Sequence, residues 1–227
     1  MTYIQNHHTD NTLAGLQEIQ KKLPSWDNYW KRFSGQSLVG TYYQNQVKKI
    51  IYSLLIGINL DTQAPILDFG CGRGRTLGYF REWGFPNSFG MDVSKEAIEI
   101  CEKNGFKPGR DVFLIEPGKD YFKDKEFSLV FSEGLLEHYE VFSPLIKAMA
   151  RISCRYIMLM QPNHFSFFGR VLNFATELVA KEKEIKEISH PIQKFIARFE
   201  EEGFRLKKKK ETVLSEFAVI LLERRDA

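Results

Sequence analysis

Asp68-Phe69-Gly70-Cys71-Gly72-Arg73-Gly74 joins a carboxylate to three glycines at alternate positions. Such a stretch can hold a ligand against bare main chain, because glycine permits conformations and close approaches that a side chain would block. A second acid, Asp92, follows 24 positions later in Gly90-Met91-Asp92-Val93-Ser94. An acid at that distance can accept hydrogen bonds from ribose hydroxyls. Together the two acids and the glycines suggest a nucleoside-bearing ligand. The glycines read G-x-G-x-G, with the third one residue earlier than in the G-x-G-x-x-G of dinucleotide sites.

The flanking residues indicate what positions this chemistry. Ile66-Leu67-Asp68-Phe69 reads as a buried parallel strand with Asp68 at its carboxyl end. Thr76, Leu77, Tyr79 and Phe80 predict a helix whose amino terminus meets the glycine loop. Strands are then expected at Asn87–Val93, Asp111–Ile115, Phe127–Phe131 and Tyr156–Met160, with helices at Lys95–Asn104 and Pro144–Ile152. Ser94 is suited to cap the first of these helices. The runs Phe204–Leu214 and Glu216–Glu223 have almost nothing between them and read as an antiparallel hairpin. The expected fold is therefore α/β, a doubly wound, mostly parallel seven-stranded sheet with helices on both faces and an antiparallel C-terminal hairpin strand.

Ahead of the sheet, residues 1–60 form a helical leader that would cover the site. Leu13, Leu16, Ile19 and Leu23 fall at helical spacing up to Pro24, and residues 1–10 look frayed. An aromatic, basic piece follows from Trp26 to Phe33. A longer helix is expected over Gln36–Gly57, with Val47, Ile50, Ile51, Leu54 and Leu55 on one stripe. Residues 61–227 form the ligand-binding domain, with an insertion over about 163–190 in which Phe167, Phe168, Val171, Leu172, Ala175, Leu178 and Val179 share one helical face.

Composition narrows the class. An apolar share of 43% and a charged share of 27% are those of a globular chain with a real core. No long uncharged apolar run suggests a membrane span, and the polar amino terminus suggests a cytoplasmic protein. Cys71, Cys101 and Cys154 lack metal or redox spacing, so no metal is expected. A net charge of +3 does not argue for nucleic acid. Lys207-Lys208-Lys209-Lys210 is the single basic run and reads as a solvated strand edge, without the interleaved aromatics of an RNA surface.

From Ala64 to Gln161, and in the terminal hairpin, the chain resembles the class I S-adenosylmethionine-dependent methyltransferases. Asp68 to Gly74 is similar to that family's first motif, and Gly90-Met91-Asp92 to its ribose-binding acid. Phe127-Ser128-Leu129-Val130-Phe131-Ser132-Glu133-Gly134-Leu135-Leu136-Glu137-His138 resembles the fourth-strand motif and the helix after it. Ser128 stands where the family commonly has Asp.

The resemblance implies S-adenosyl-L-methionine as cofactor and S-adenosylhomocysteine as product. It implies that Gly70, Cys71, Gly72 and Gly74 face the methionine part, with Asp68 organising that region. Asp92, followed by Val93, would hold the ribose hydroxyls. Glu116 falls where an acid often meets the adenine amino group, although it also reads as plain solvated surface; its neighbour Pro117 lacks an N–H. Ser132, Glu133 and Gly134 would lie beside the sulfonium.

Methyl transfer from sulfonium is an in-line displacement that positioning can largely supply. A base is needed only for a protonated acceptor, and His164 and His138 are the candidates, His164 being favoured for its place after the fifth strand. The acceptor is expected to be a small molecule, selected by Trp26, Tyr29, Trp30, Phe33, Tyr42 and Tyr43 of the leader and by the insertion. An amphipathic insertion could also touch a membrane surface. An RNA or protein methyltransferase and a non-catalytic cofactor-binding module or nicotinamide binder are the alternatives. Ser132-Glu133-Gly134-Leu135 stands where base-amino methyltransferases carry an Asn-Pro-Pro-Tyr-like sequence, which disfavours such acceptors.

Overall fold

The computed structural model describes residues 26–32, 38–116, 119–171 and 187–227. The expected helix over Asn11–Leu23, the position of Pro117 and most of the insertion's apolar face lie outside the described residues. Seven strands form one sheet: β1 (Ile66–Phe69), β2 (Ser88–Asp92), β3 (Val112–Leu114), β4 (Phe127–Glu133), β5 (Ser153–Pro162), β6 (Phe204–Glu211) and β7 (Phe217–Arg224). Their order is β3-β2-β1-β4-β5-β7-β6. Pairs from β3 through β5 are parallel, whereas β7 runs antiparallel to both β5 and β6. The chain winds outward from β1 to β3 and restarts at β4 on the other side of β1. That reversal opens a crevice at the carboxyl ends of β1 and β4, where ligands bind in such sheets.

Both faces of the sheet are covered, which explains why its strands are continuous apolar runs. On one face Leu67, Val130, Ile157, Leu159, Ile220 and Leu222 pack with α5 (Ser143–Ile152) and α6 (Ile192–Glu201). On the other, Ile66, Leu129, Phe131, Tyr156, Met158 and Val219 pack with α2 (Leu38–Gly57) and α3 (Arg75–Glu82). The remaining helices are α1 (Trp26–Arg32) and α4 (Lys95–Lys103). Among the described residues no helix is long and apolar enough to cross a membrane.

Several boundaries differ from expectation. β4 and β5 each run two residues further than their apolar cores, to Glu133 and Pro162, because pairing with neighbours continues past the hydrophobic stretch. The hairpin has a connection of residues 212–216 rather than almost none, held by Thr212 and Glu216 and by Ser215 at a φ of 59°. The helix α6 was not anticipated, although Ile192, Phe195, Ile196 and Phe199 carry its spacing. Lys207 and Lys209 lie in the outer strand, paired with Glu223 and Glu211, as a solvated edge requires.

Two contacts tie the elements around the crevice. Gly90 of β2 lies under the glycine loop, where a Cβ would stand 2.8 Å from Cys71 Sγ and 2.9 Å from Cys71 Cβ. Asp27 of α1 accepts hydrogen bonds from the Ser94 hydroxyl at 2.5 Å and the Glu96 N–H at 3.2 Å, pinning α1 to the start of α4. Ser94 in turn caps α4 through the Ala97 N–H. Gly90→Ala is expected to cost ~1–3 kcal/mol through overpacking, read as a lower urea midpoint at unchanged slope; an unchanged midpoint would contradict the packing. Asp27→Ala is expected to weaken docking of α1 by about 1 kcal/mol, seen as faster proteolysis within residues 26–32 while the urea midpoint holds.

Candidate cofactor and acceptor site

The glycine loop is shaped by its own main chain. Gly70 and Cys71 both donate to the Met91 carbonyl at 2.9 Å, and Gly74 donates to the Cys71 carbonyl at 2.9 Å. Gly70, Gly72 and Gly74 have φ of 80°, 50° and 77°, the left-handed region that favours glycine. Gly74 is also the residue from which α3 starts. Over the loop lies Trp30 of α1, so close that a Cβ on Gly72 would stand 2.5 Å from its ring.

Asp92 stitches the loop to the next element. It is 8% exposed; one carboxylate oxygen accepts from the Gly72 N–H at 2.8 Å and the other from the Ser94 N–H at 2.9 Å. Burial pushes its pKa up to about 6, against the pull of these N–H donors. Each oxygen keeps a further lone pair for a ligand hydroxyl. Val93 follows, half-buried at the head of the crevice.

Asp68 is buried beneath the loop, and burial first, then the charge of Glu133, hold its carboxyl well above the usual range. Glu133, at the end of β4, is itself satisfied by Arg75 at 2.5 Å and the Thr76 hydroxyl at 2.7 Å. Ser132 donates its hydroxyl to the Phe69 carbonyl at 2.8 Å, which locks β4 to β1. Cys71 is buried against Cys101, and that contact and burial push its thiol up, away from a reactive thiolate. Glu116 is exposed and paired with Lys119 at 2.7 Å.

A second group gathers past the end of β4. Gly134 turns the chain at a φ of 65°, and the short 3-10 turn Leu136–His138 follows in place of a full helix. His138 packs edge-on against Trp26 with ring centroids 5.2 Å apart, and its Nε2 is 4.0 Å from Glu137 Oε1. His164 Nε2 is 3.7 Å from Glu187, where the chain returns to donate from Ile188 to the Glu137 carbonyl at 2.6 Å. Glu137 is buried, and burial above all pushes its pKa up to about 8. His190, at the insertion's end, lies in the core against Phe142 and Phe195. Sequence reasoning gave roles to neither Glu137 nor Asp27; nothing in their spacing marks the side-chain contacts that distinguish them.

The family model described as "Methyltransferase domain" matches residues 67–155. An uncharacterized protein of Methanocaldococcus jannaschii is 29% identical over 154 residues, covering 66% of this chain and 69% of that protein. Magnesium protoporphyrin IX methyltransferase of Synechocystis, crystallised with bound S-adenosylhomocysteine, superposes with a TM-score of 0.65 at 15% identity, covering 87% of this chain and 93% of that one. A Pyrococcus horikoshii protein, PH0226, superposes with a TM-score of 0.64 at 14% identity, covering 88% and 100%. Residues 67–155 are thus similar to a methyltransferase domain, and the fold built around them is shared with these S-adenosylhomocysteine-binding and related structures.

Proposed function

We propose that this chain transfers a methyl group from S-adenosylmethionine to a small-molecule acceptor, with the cofactor held between the glycine loop and Asp92. The observation that carries the reading is the Asp92 carboxylate, buried and oriented by the N–H groups of Gly72 and Ser94. A ligand with vicinal hydroxyls fits a buried acceptor-only group of this kind. The left-handed glycines let the loop turn tightly beside it, with Leu135, Trp30 and Phe106 packed where side chains would otherwise stand. When bound, the cofactor supplies an electrophilic methyl group on a positive sulfur.

The protein's share is placement and exclusion of water. Gly70, Cys71, Gly72 and Gly74 would present main chain to the methionine part. Asp68 lies beneath the loop, and the Arg75–Glu133 ion pair holds its far side. Trp30 and Trp26, anchored through Asp27, form a roof over the crevice. His164, set by Glu187, is the candidate to take a proton from an acceptor that arrives protonated, with His138 the second candidate.

Two features favour a small acceptor over RNA. The roof and the returning segment at Glu187 and Ile188 narrow the approach. The lysine run lies in β6, separated from β4 by β5 and β7, and so does not extend the crevice. The magnesium porphyrin of the Synechocystis enzyme's name is a small-molecule acceptor on the same fold.

Binding of S-adenosylhomocysteine, followed by calorimetry, tests the site. Asp92→Asn is expected to weaken it about 10–100-fold, the loss of hydrogen bonds to a charged acceptor. Burial raises the pKa of Asp92 to about 6, so a proton must leave before the carboxylate can accept two hydroxyls; affinity should therefore rise about 10-fold from pH 5 to pH 7. Unchanged affinity in Asp92→Asn would remove Asp92 from the site.

A further inference from the structure

Near the carboxyl ends of β4 and β5 the protein buries polar atoms that it does not itself satisfy. Glu137 is 5% exposed, yet its Oε2 is buried with no hydrogen-bond partner. Gln161 is 1% exposed, and neither its amide oxygen nor its amide nitrogen has one. Alternation along β5 puts Gln161 on the same face as Leu159, the layer that also receives Leu136 from the turn carrying Glu137. Burying such groups unpaired is costly, and a strand and the turn packed on it that both keep such groups suit a polar occupant.

The charge around them indicates its sign. Glu137 faces the fields of Glu187 and Glu133, and Glu187 and Glu137 both bear on Tyr29 of the leader helix. Arg75 neutralises Glu133 alone at close range. His164 stands by Glu187 at 3.7 Å, and Arg73 and Arg75 act on Tyr29 from the loop side. Burial leaves Glu137 holding a proton near neutral pH; a cation seated there would stabilise the carboxylate, release that proton to solvent and supply donors to the unpaired Oε2.

We propose that Glu137, backed by Gln161, anchors a protonated amine of the acceptor and so selects amine-bearing small molecules. The inference rests on the small-molecule methyltransferase reading above and deepens it. An ammonium has no free electron pair, so the anchored amine is not the methylated atom; it fixes the acceptor while another atom meets the methyl group. The rings of Tyr29, Trp26 and His138 beside the turn suit an aromatic or apolar body on the same acceptor.

A matched set of probes tests this: benzylamine, benzyl alcohol and benzoate, titrated into protein saturated with S-adenosylhomocysteine. Benzylamine is expected to bind at least about 10-fold tighter than the other two, as a charge-assisted hydrogen bond in a dry site allows. Glu137→Gln should abolish that preference while leaving S-adenosylhomocysteine affinity unchanged, which also reports that the variant is folded. Glu137→Asp, which keeps the charge, should retain part of it. Equal binding of all three probes, binding of none, or a preference that survives Glu137→Gln overturns the proposal. So does a loss of S-adenosylhomocysteine affinity in Glu137→Gln, since Glu137 would then serve the cofactor's own ammonium. Failure of the wild-type protein to hold S-adenosylhomocysteine is a separate result and strikes the methyltransferase reading itself.

Discussion

The carboxylate of Asp92 is buried at the end of β2 and held by main-chain N–H donors from two separate segments, Gly72 in the glycine loop and Ser94 at the head of α4. Much of the crevice follows from this arrangement. The loop must come close enough for Gly72 to reach across, which needs left-handed backbone at alternate positions and a bare Gly90 beneath Cys71. Ser94 must leave its hydroxyl free to cap α4 and meet Asp27, which brings the leader helix over the loop. One buried acid thus sets the loop, the helix start and the roof. Burial raises its pKa to about 6, since a charge there is taken out of water.

Carboxylates recur along the crevice, but they are treated differently. Glu133 is fully engaged by Arg75 and Thr76, while Asp68 lies beneath the loop and its burial favours the neutral form. Asp92 has donors and spare lone pairs, which suits a neutral, hydroxyl-bearing ligand. Glu137 has a buried oxygen with no donor, which suits a cationic one. The crevice therefore grades from groups that hold the protein's own backbone to groups that wait for a ligand.

What was legible in the sequence was whatever repeats or punctuates. The parallel strands announced themselves as apolar runs, and the glycine loop and Ser94 cap by their local chemistry. The amphipathic spacing of α6 is equally present in Ile192, Phe195 and Phe199. The short turn at Leu136–His138 was read as a helix because Leu-Glu-His has good helical residues, while tertiary contacts to β5 allow only three. The pairing of Asp27 with Ser94, or of Trp30 with Gly72, spans more than 40 positions and leaves no periodic trace. Glu137 and Gln161 became visible only once burial and missing partners could be seen together. Contacts between distant side chains are where sequence patterns stop informing.

The central claim is that the loop and the start of α4 form one cofactor cradle joined through Asp92. Amide hydrogen exchange resolved to single residues, with and without S-adenosylhomocysteine, tests it most directly. The account predicts that exchange slows by about 10-fold or more at Gly72 and Ser94 together when the ligand is added, while β6 and β7 are unchanged. Protection of one segment without the other, or of neither, would contradict it.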